Sequence, residues 1–460
     1  MADVLYHPAS YKDPSGFVFT SNGKIFRQVN KSYREDYDLL LSSGLYKELS
    51  EKKFLVTHQE VSENLTQTNE WYKTLSPEHL PFISYPYEWC FDELKDAALL
   101  TLKVMKISMK RGMILKDATP FNVQFLHARP IFIDTLSFEK YEISKPWIAY
   151  RQFCECFLFP LLLEHYRQID TQKLLTVYLE GIPAQTTAKL LPRKSLLNIN
   201  ILLHVFLQNS VAATAAPTNS RRITDFNPNK LLRLIDSLES TIRHLRFKTT
   251  VRTTWNNYYE ETILSQEYLN KKEHIFREYI KDLQGSKAID IGCNDGFFSK
   301  ILAEYIPNVI AVDFDSQCIN RLYTETKSLL NKNILPLCVD LTNPSPSVGF
   351  NHAERESFRE RAKSATAIAL GLIHHLVLSK NIPISGVAKM FADLTTDTLI
   401  IEFVPLNDEK AQLLIANKTK YHVPYDSTTF ELVFEKYFAI EKRATIPGTE
   451  RILYRMRIKS

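Results

Sequence analysis

The sequence has little of several features that would each indicate a particular class of protein. Glycine is scarce, with 12 among 460 residues against a usual share of about 7%, so a turn that holds two glycines stands out. No segment approaches the roughly 20 apolar residues of a membrane-spanning helix, and residues 1–11 lack the basic and apolar pattern of a secretory signal. We therefore expect a cytoplasmic protein with no membrane span.

Charge and cysteine content exclude further classes. The 57 basic and 52 acidic residues leave a formal net charge of only +5, which is too balanced to indicate a nucleic-acid or membrane partner. The six cysteines are too few and too scattered for a disulfide framework, and we interpret them as reduced, small apolar side chains. A hydrophobic share of 45% predicts a globular chain, and its length favours two or three domains.

Hydrophobic periodicity divides the chain into three predicted regions. Residues 1–170 contain a β-hairpin pattern and a long amphipathic helix over residues 91–110. Residues 171–254 are mostly helical and include residues 209–229, a stretch of Ala, Thr, Ser, Pro and Asn that is typical of a linker. Residues 255–460 alternate strand and helix patterns, which sets this last region apart.

The alternation in the last region predicts an α/β fold with a parallel sheet and helices on both of its faces. A hairpin pattern ends the chain, because residues 439–442 and 451–458 are joined by Pro447-Gly448 with no helix between them. We therefore expect a Rossmann-like sheet that finishes in an antiparallel pair. The predicted parallel strands cover residues 287–291, 309–312, 334–339, 365–370 and 398–403.

The most specific local motif follows the first of these strands. The apolar residues 288–291 end in a turn that holds two of the rare glycines, Gly292 and Gly296, and the turn leads into a helical pattern. Glycine lets the backbone turn tightly and lets a ligand approach without a Cβ in the way. The turn therefore predicts a nucleotide-type ligand at this edge of the sheet.

Acidic residues stand at the ends of three successive predicted strands, as Asp290, Asp313 and Asp340. In doubly wound folds an acidic residue at the position of Asp313 accepts hydrogen bonds from the ribose hydroxyls of a bound nucleotide. The spacing Gly292-x-x-x-Gly296 departs from the G-x-G-x-x-G pattern of dinucleotide-binding proteins. A ligand with one nucleoside is therefore favoured over a dinucleotide.

This looser glycine turn resembles motif I of class I S-adenosylmethionine-dependent methyltransferases, whose sheet also ends in an antiparallel strand. Further distinctive sequence segments lie at residues 84–89, 133–138, 340–347, 370–376 and 401–405. They are similar to a family of methyltransferases described as host-specific nodulation-protein homologues. The resemblance implies a methyltransferase and spans most of the chain.

The same resemblance implies the positions that hold the cofactor, S-adenosylmethionine. The glycine turn frames its methionine part, Asp313 holds the ribose and Asp340 lies near the adenine. The residues implied in the turn itself are Asp290, Gly292, Asn294 and Gly296.

Two histidines and a glutamate follow later strands, where the methyl acceptor normally meets the cofactor in this fold. His374 or His375 could remove a proton from an acceptor hydroxyl; the alternative is that one histidine packs and the other caps. Glu402 is a candidate for binding the acceptor. The histidines, and the lack of an Asn-Pro-Pro-Tyr box after the fourth strand, favour an oxygen acceptor on a sugar, a glycan or another small polar molecule.

In the first region, Asp117 and Asn122 are five residues apart, and Asp134 follows an apolar strand. This spacing resembles the catalytic loop of protein and small-molecule kinases. The resemblance implies that Asp117 acts as a base, that Asn122 and Asp134 bind Mg²⁺, and that ATP is a second cofactor.

The first region also departs from the kinase pattern. No histidine precedes Asp117 in the usual place, Thr135-Leu136 follows the later aspartate, and no Gly-rich phosphate loop is visible. Either Lys24 or Arg27 could supply the lysine-like cation that holds phosphates. A pseudokinase, or a domain that presents substrate, is therefore an alternative to an active phosphotransferase.

Three functions follow from these patterns. The leading hypothesis is methyl transfer, the second is a bifunctional kinase and methyltransferase that acts on a glycan, and the third is a non-catalytic scaffold that binds the cofactor. The predicted domains are a kinase-like domain over residues 1–170, a helical connector over residues 171–254 and a methyltransferase domain over residues 255–460.

Overall fold

The computed structural model describes residues 4–143, 145–207, 227–248, 266–328, 333–416 and 424–459. The chain divides into two compact units. The first consists of Met1–Lys248 with Ser347–Arg355, and the second of Thr249–Pro346 with Glu356–Ser460. A short segment from the carboxy-terminal half therefore belongs to the first unit. The predicted linker, residues 209–229, lies outside the described residues except for its last three.

The first unit begins with five strands, β1 (Val4–Tyr6), β2 (Gly16–Ser21), β3 (Lys24–Asn30), β4 (His58–Val61) and β5 (Trp71–Pro77). They form an antiparallel sheet in the order β1-β2-β3-β5-β4. Asn22 and Gly23, between β2 and β3, both have positive φ, as a two-residue hairpin turn requires. The predicted hairpin is therefore confirmed.

Three helices follow in the chain: α1 (Arg34–Ser42) and α2 (Leu45–Glu51) before β4, and α3 (Phe91–Lys110) after β5. The bounds of α3 agree with the predicted long helix. Two small hairpins come next, β6 (Met113–Leu115) with β9 (Phe138–Lys140), and β7 (Val123–Leu126) with β8 (Arg129–Phe132). They place Asp117 and Asn122 between β6 and β7 and place Asp134 after β8.

The remainder of the first unit is helical and includes the predicted connector. In α9 (Pro228–His244), Leu231, Ile235, Leu238 and Ile242 are buried at helical spacing. Lys106 of α3 pairs with Asp236 and Glu239 of α9. Because α9 buries its apolar face and pairs with α3, the described part of the connector is integral to the first unit. The other helices are α4 (Tyr150–Phe153), α5 (Phe159–Arg167), α6 (Thr171–Val177), α7 (Ala184–Leu190) and α8 (Ile199–Ile201), with π-helical turns at Cys154–Leu158 and Leu202–Leu207.

The second unit contains seven strands: β10 (Ala288–Ile291), β11 (Val309–Asp313), β12 (Ile334–Cys338), β13 (Ser364–Ala369), β14 (Thr395–Phe403), β15 (Phe438–Thr445) and β16 (Ile452–Ile458). They form one sheet in the order β12-β11-β10-β13-β14-β16-β15. Strands β10 to β14 are parallel, and β16 lies antiparallel between β14 and β15. The predicted α/β fold with a terminal antiparallel pair is confirmed for this unit.

Helices connect these strands, and their apolar sides are buried. They are α10 (Gln266–Ile280), α11 (Phe297–Leu302), α12 (Ser316–Ser328), α13 (Phe358–Arg361), α14 (Ile384–Leu394), α15 (Glu409–Ile415) and α16 (Ser427–Phe434). Across the described residues of both units, no helix is long and apolar enough to cross a membrane.

Candidate functional site

The loop after β10 turns at Gly292 and reaches α11 at Gly296. These glycines have φ values of 75° and 74°, in the left-handed region that side chains rarely adopt. The backbone amides of Gly292 and Cys293 donate to the carbonyl oxygen of Val312 at 2.8 and 3.0 Å. These bonds tie the loop to β11, so that two strand ends meet at one edge of the sheet.

Asp313 ends β11 beside this loop. Its carboxylate accepts hydrogen bonds from the backbone amides of Asn294 and Asp315, each at 2.9 Å. The backbone amide of Phe314 also donates to this carboxylate. A carboxylate has about four acceptor positions, so Asp313 keeps one position for a ligand. Burial raises the pKa of Asp313 to about 6. The charged form, which is the stronger acceptor, therefore predominates only above that pH.

Asp340 lies just beyond β12, at the third strand end. Its Oδ1 accepts hydrogen bonds from the backbone amide and the hydroxyl of Thr342, at 2.9 and 2.7 Å. These bonds fix the turn that follows the strand, while the Asp340 side chain stays partly exposed.

The three strand ends surround one cavity of about 330 Å³, a volume within the range of small-molecule sites. Five predicted site residues line it: Gly292, Asn294, Asp313, Asp340 and His375. Apolar side chains supply much of the remaining wall, namely Val312, Val339, Leu341, Leu370, Leu372, Leu376 and Leu414.

Asp290 and Gly296 were predicted to contact the cofactor, but they do not line this cavity. Asp290 is 2% exposed, accepts the hydroxyl of Ser299 at 2.5 Å, and has its pKa raised to about 7 by burial. A Cβ on Gly296 would lie 2.5 Å from Cδ1 of Leu322, so this glycine allows α12 to pack closely. Both residues support the loop from behind.

His374 and His375 follow β13 and have different surroundings. His375 lines the cavity, and burial lowers its pKa to about 4, so its ring is neutral at pH 7. His374 is fully buried, and neither of its ring nitrogens has a hydrogen-bond partner among the described residues. Burial also lowers the pKa of His374 well below its usual value. Of the two candidates, only His375 is therefore placed to contact a ligand in this cavity.

Glu402, at the end of β14, is the centre of a buried ion-pair cluster. Its carboxylate accepts hydrogen bonds from Lys272 at 2.6 Å and Tyr268 at 2.7 Å, and Arg451 lies 3.5 Å away. Burial alone would raise the pKa of Glu402, but the charges of Lys272 and Arg451 outweigh burial and hold the pKa below its usual value. Glu402 is fully buried in the core and is not part of the cavity lining.

Phe314 is a lining residue that the sequence analysis missed. It directly follows Asp313, and its side chain is 58% exposed. An aromatic ring exposed at a strand end offers a flat apolar surface on which a nucleobase can stack. The signal was present in the sequence, since the ring is adjacent to the acidic residue predicted to hold the ribose.

A larger open cavity, of about 1230 Å³, lies within the first unit. Asp117, Asn122 and Asp134 all line it, so the structure brings the residues of the kinase-like pattern together. Arg27 also lines the cavity and forms an ion pair with Asp134, whereas Lys24 is exposed outside it. The segment Ser347–Arg355 contributes Gly349, Phe350, Glu354 and Arg355 to the lining.

The implied Mg²⁺ ligands already have protein partners. Asp134 binds the Arg27 guanidinium through Oδ1 and the Ser137 hydroxyl through Oδ2. The side-chain amide of Asn122 donates to the same hydroxyl at 3.0 Å. No group of three or more His, Cys, Asp or Glu residues in the described part of the chain is placed to hold a metal ion. In the arrangement that the structure shows, the two Asp134 oxygens that would bind Mg²⁺ are occupied by Arg27 and Ser137.

Comparison with known sequences gives one strong similarity. No family model matches the chain. The nodulation protein NoeA of Rhizobium meliloti (strain 1021) is 29% identical over 453 residues, which cover 97% of this chain and 94% of the relative. The predicted resemblance to nodulation proteins is thereby confirmed.

Solved structures are similar to part of the chain. The N-methyltransferase NodS from Bradyrhizobium japonicum WM9, in complex with S-adenosylhomocysteine, is 13% identical, with a TM-score of 0.32 over 43% of this chain and 89% of that one. Magnesium protoporphyrin IX methyltransferase from Synechocystis PCC 6803, with bound S-adenosylmethionine, is 15% identical, with a TM-score of 0.30 over 42% of this chain and 80% of that one. By sequence, the present chain is similar over nearly its full length to a nodulation protein.

Proposed function

We propose that the second unit is an S-adenosylmethionine-dependent methyltransferase and that the cavity lined by Gly292, Asp313 and Asp340 holds the cofactor. The observation that carries this proposal is the meeting of these three residues around one cavity. They follow three consecutive strands, and open α/β sheets bind ligands at the carboxyl ends of their strands.

The residues of the cavity suit the parts of a nucleoside ligand. The remaining acceptor position of Asp313 matches a hydroxyl of a ribose. Phe314 offers its ring to the base, and Gly292 allows the ligand to approach the backbone closely. Apolar side chains exclude water from the remaining wall, which strengthens each polar contact.

The cofactor supplies a methyl group that its sulfonium has already activated. In the proposed reaction an acceptor oxygen bonds to the methyl carbon as the carbon–sulfur bond breaks, and the acceptor proton passes to a ring nitrogen of His375. His375 suits this role because it lines the cavity and is neutral at pH 7. Alignment of the reacting atoms within the cavity supplies a large share of the rate.

The acceptor that we propose is a hydroxyl of a sugar or another small polar molecule. Two observations support an oxygen acceptor. One is the neutral base beside the cavity, and the other is the lack of an Asn-Pro-Pro-Tyr box after the fourth strand.

Isothermal titration calorimetry with S-adenosylhomocysteine tests the cofactor site. We expect the protein to bind one equivalent, and we expect Asp313→Ala to weaken binding about tenfold or more, since a hydrogen bond to a charged group is lost. Asp315→Asn is the matched control, because Asp315 accepts the amide of Gln317 at 2.8 Å and does not line the cavity. Equal affinity of Asp313→Ala and the wild type would refute the assignment.

Mass spectrometry of metabolite extracts, incubated with S-adenosylmethionine that carries a deuterated methyl group, tests methyl transfer. A labelled product should form with the wild type, and His375→Ala should lower its rate by about 100-fold or more while still binding the cofactor. His374→Ala is the comparison, since its ring lies outside the cavity lining. Cofactor binding without any labelled product would instead favour the scaffold hypothesis.

A further inference from the structure

The cavity of the first unit has a cation built into its wall, at the place implied for a metal ion. Arg27 of β3 pairs with Asp134, and the two side chains are only 19% and 14% exposed. Solvent therefore screens this ion pair weakly. Since an arginine side chain is always positively charged in proteins, Arg27 neutralises Asp134 without a metal ion.

The other cations that line the cavity are also paired with carboxylates. A phosphate or another anion would therefore find no cation among the described lining residues that lacks a carboxylate partner, and it would lie close to several negative charges. This arrangement disfavours an anionic ligand. The pairs are Lys12–Glu354 at 3.3 Å, Arg151–Glu155 at 2.9 Å and Arg355–Glu354 at 3.5 Å.

Asp117 differs from the other carboxylates of the lining. It accepts the backbone amide of Thr119 at 3.3 Å and side-chain hydrogen bonds from Asn122 and Gln152, and within the described residues it forms no ion pair. A carboxylate has about four acceptor positions, so Asp117 keeps one for a ligand hydroxyl. Tyr11 and Phe350 lie with their ring centroids 5.6 Å apart, and both rings are more than half exposed. They offer a flat apolar surface in the same cavity.

We propose that Arg27 replaces a divalent metal ion in this cavity and that the cavity is a metal-independent binding site for an uncharged, hydroxyl-bearing ligand. Arg27 neutralises Asp134, Asp117 accepts a ligand hydroxyl, and the ring pair packs against the apolar side of the ligand. The inference concerns the first unit alone and does not rest on the proposed methyl transfer.

Titration with Mn²⁺, followed by electron paramagnetic resonance, tests the role of Arg27. We expect the full-length wild type to bind no stoichiometric Mn²⁺, and Arg27→Met to gain at least about tenfold in Mn²⁺ affinity. Arg151→Met is the matched control, because it removes a paired cation from the same cavity and should gain nothing. The proposal is overturned if the wild type binds one Mn²⁺ and Asp134→Asn loses it, and this outcome can be measured even if Arg27→Met fails to fold. It is also overturned if Arg27→Met folds but gains no Mn²⁺ affinity.

Saturation-transfer NMR tests the ligand class, with the methyl glycosides of glucose, mannose and galactose as probes. At least one glycoside should give a signal in the presence of EDTA, and Asp117→Asn should weaken its binding about tenfold or more. Asp13→Asn is the control, since Asp13 is a lining carboxylate paired with Lys116. The proposal fails if no glycoside binds, if binding requires Mg²⁺, or if ATP or a hexose phosphate binds in their place; Mg²⁺-dependent ATP binding would favour a phosphotransferase.

Discussion

Cofactor binding should weaken as the pH falls through the raised pKa of Asp313. Ribose hydroxyls donate to this carboxyl group, so binding favours its ionised form. With a pKa of about 6, the ionised share falls from about 91% at pH 7 to about 9% at pH 5. The dissociation constant of S-adenosylhomocysteine should therefore rise about tenfold between these two pH values.

Calorimetry at constant ionic strength can measure this change, and Asp313→Asn, which does not titrate, is the control. Acid unfolding should not interfere through these groups, because burial raises the pKa values of both Asp290 and Asp313. The native state thus binds more protons than the unfolded chain above pH 4, and lowering the pH from 7 to 5 stabilises it through these two groups. A dissociation constant that is the same at pH 5 and pH 7, or an equal pH slope in Asp313→Asn, would refute the reasoning.

Three substitutions in the second unit, each measured by urea denaturation, test the structural roles assigned above. Gly296→Ala should lower the free energy of unfolding by about 2–5 kcal/mol, since it combines a left-handed φ with a distance of 2.5 Å between the new Cβ and Cδ1 of the fully buried Leu322. Gly292→Ala should lower it less, because the atom nearest to its Cβ, Cδ1 of the partly exposed Leu372, is 3.1 Å away. Equal losses in the two glycine variants would contradict the packing role of Gly296. Glu402→Ala should lower the free energy of unfolding by about 3–5 kcal/mol, because it leaves the buried Lys272 without its carboxylate partner. A loss below about 1 kcal/mol would show that the cluster is solvated.

The sheet of the second unit was predictable because its signal is local. Buried parallel strands are nearly continuous apolar runs, and β10 and β11 lie within one residue of their predicted bounds. Strand β14 begins three residues earlier than predicted, at Thr395, which pairs with Ser364 of β13. That pairing depends on a neighbouring strand, and the polar residues 395–397 carry no apolar signal of their own.

The site was predictable as a set of strand ends but not residue by residue. Gly292 and Gly296 have nearly the same φ, and only the position of Leu322, distant in sequence, separates a lining glycine from a packing one. His374 and His375 are neighbours in the chain with different burial. The partners of Glu402 likewise come from other elements, and sequence spacing says nothing about them.

Because Ser347–Arg355 belongs to the first unit, that unit is completed only late in synthesis of the chain. The amino-terminal unit lacks part of one cavity wall until the ribosome has made more than a hundred residues beyond Lys248. A nascent chain that ends anywhere between Lys248 and Ser347 would leave that cavity wall incomplete. A single cut between Lys248 and Ser347 would leave Ser347–Arg355 on the fragment that carries most of the second unit, and a cut after Arg355 would leave Thr249–Pro346 on the fragment that carries the first.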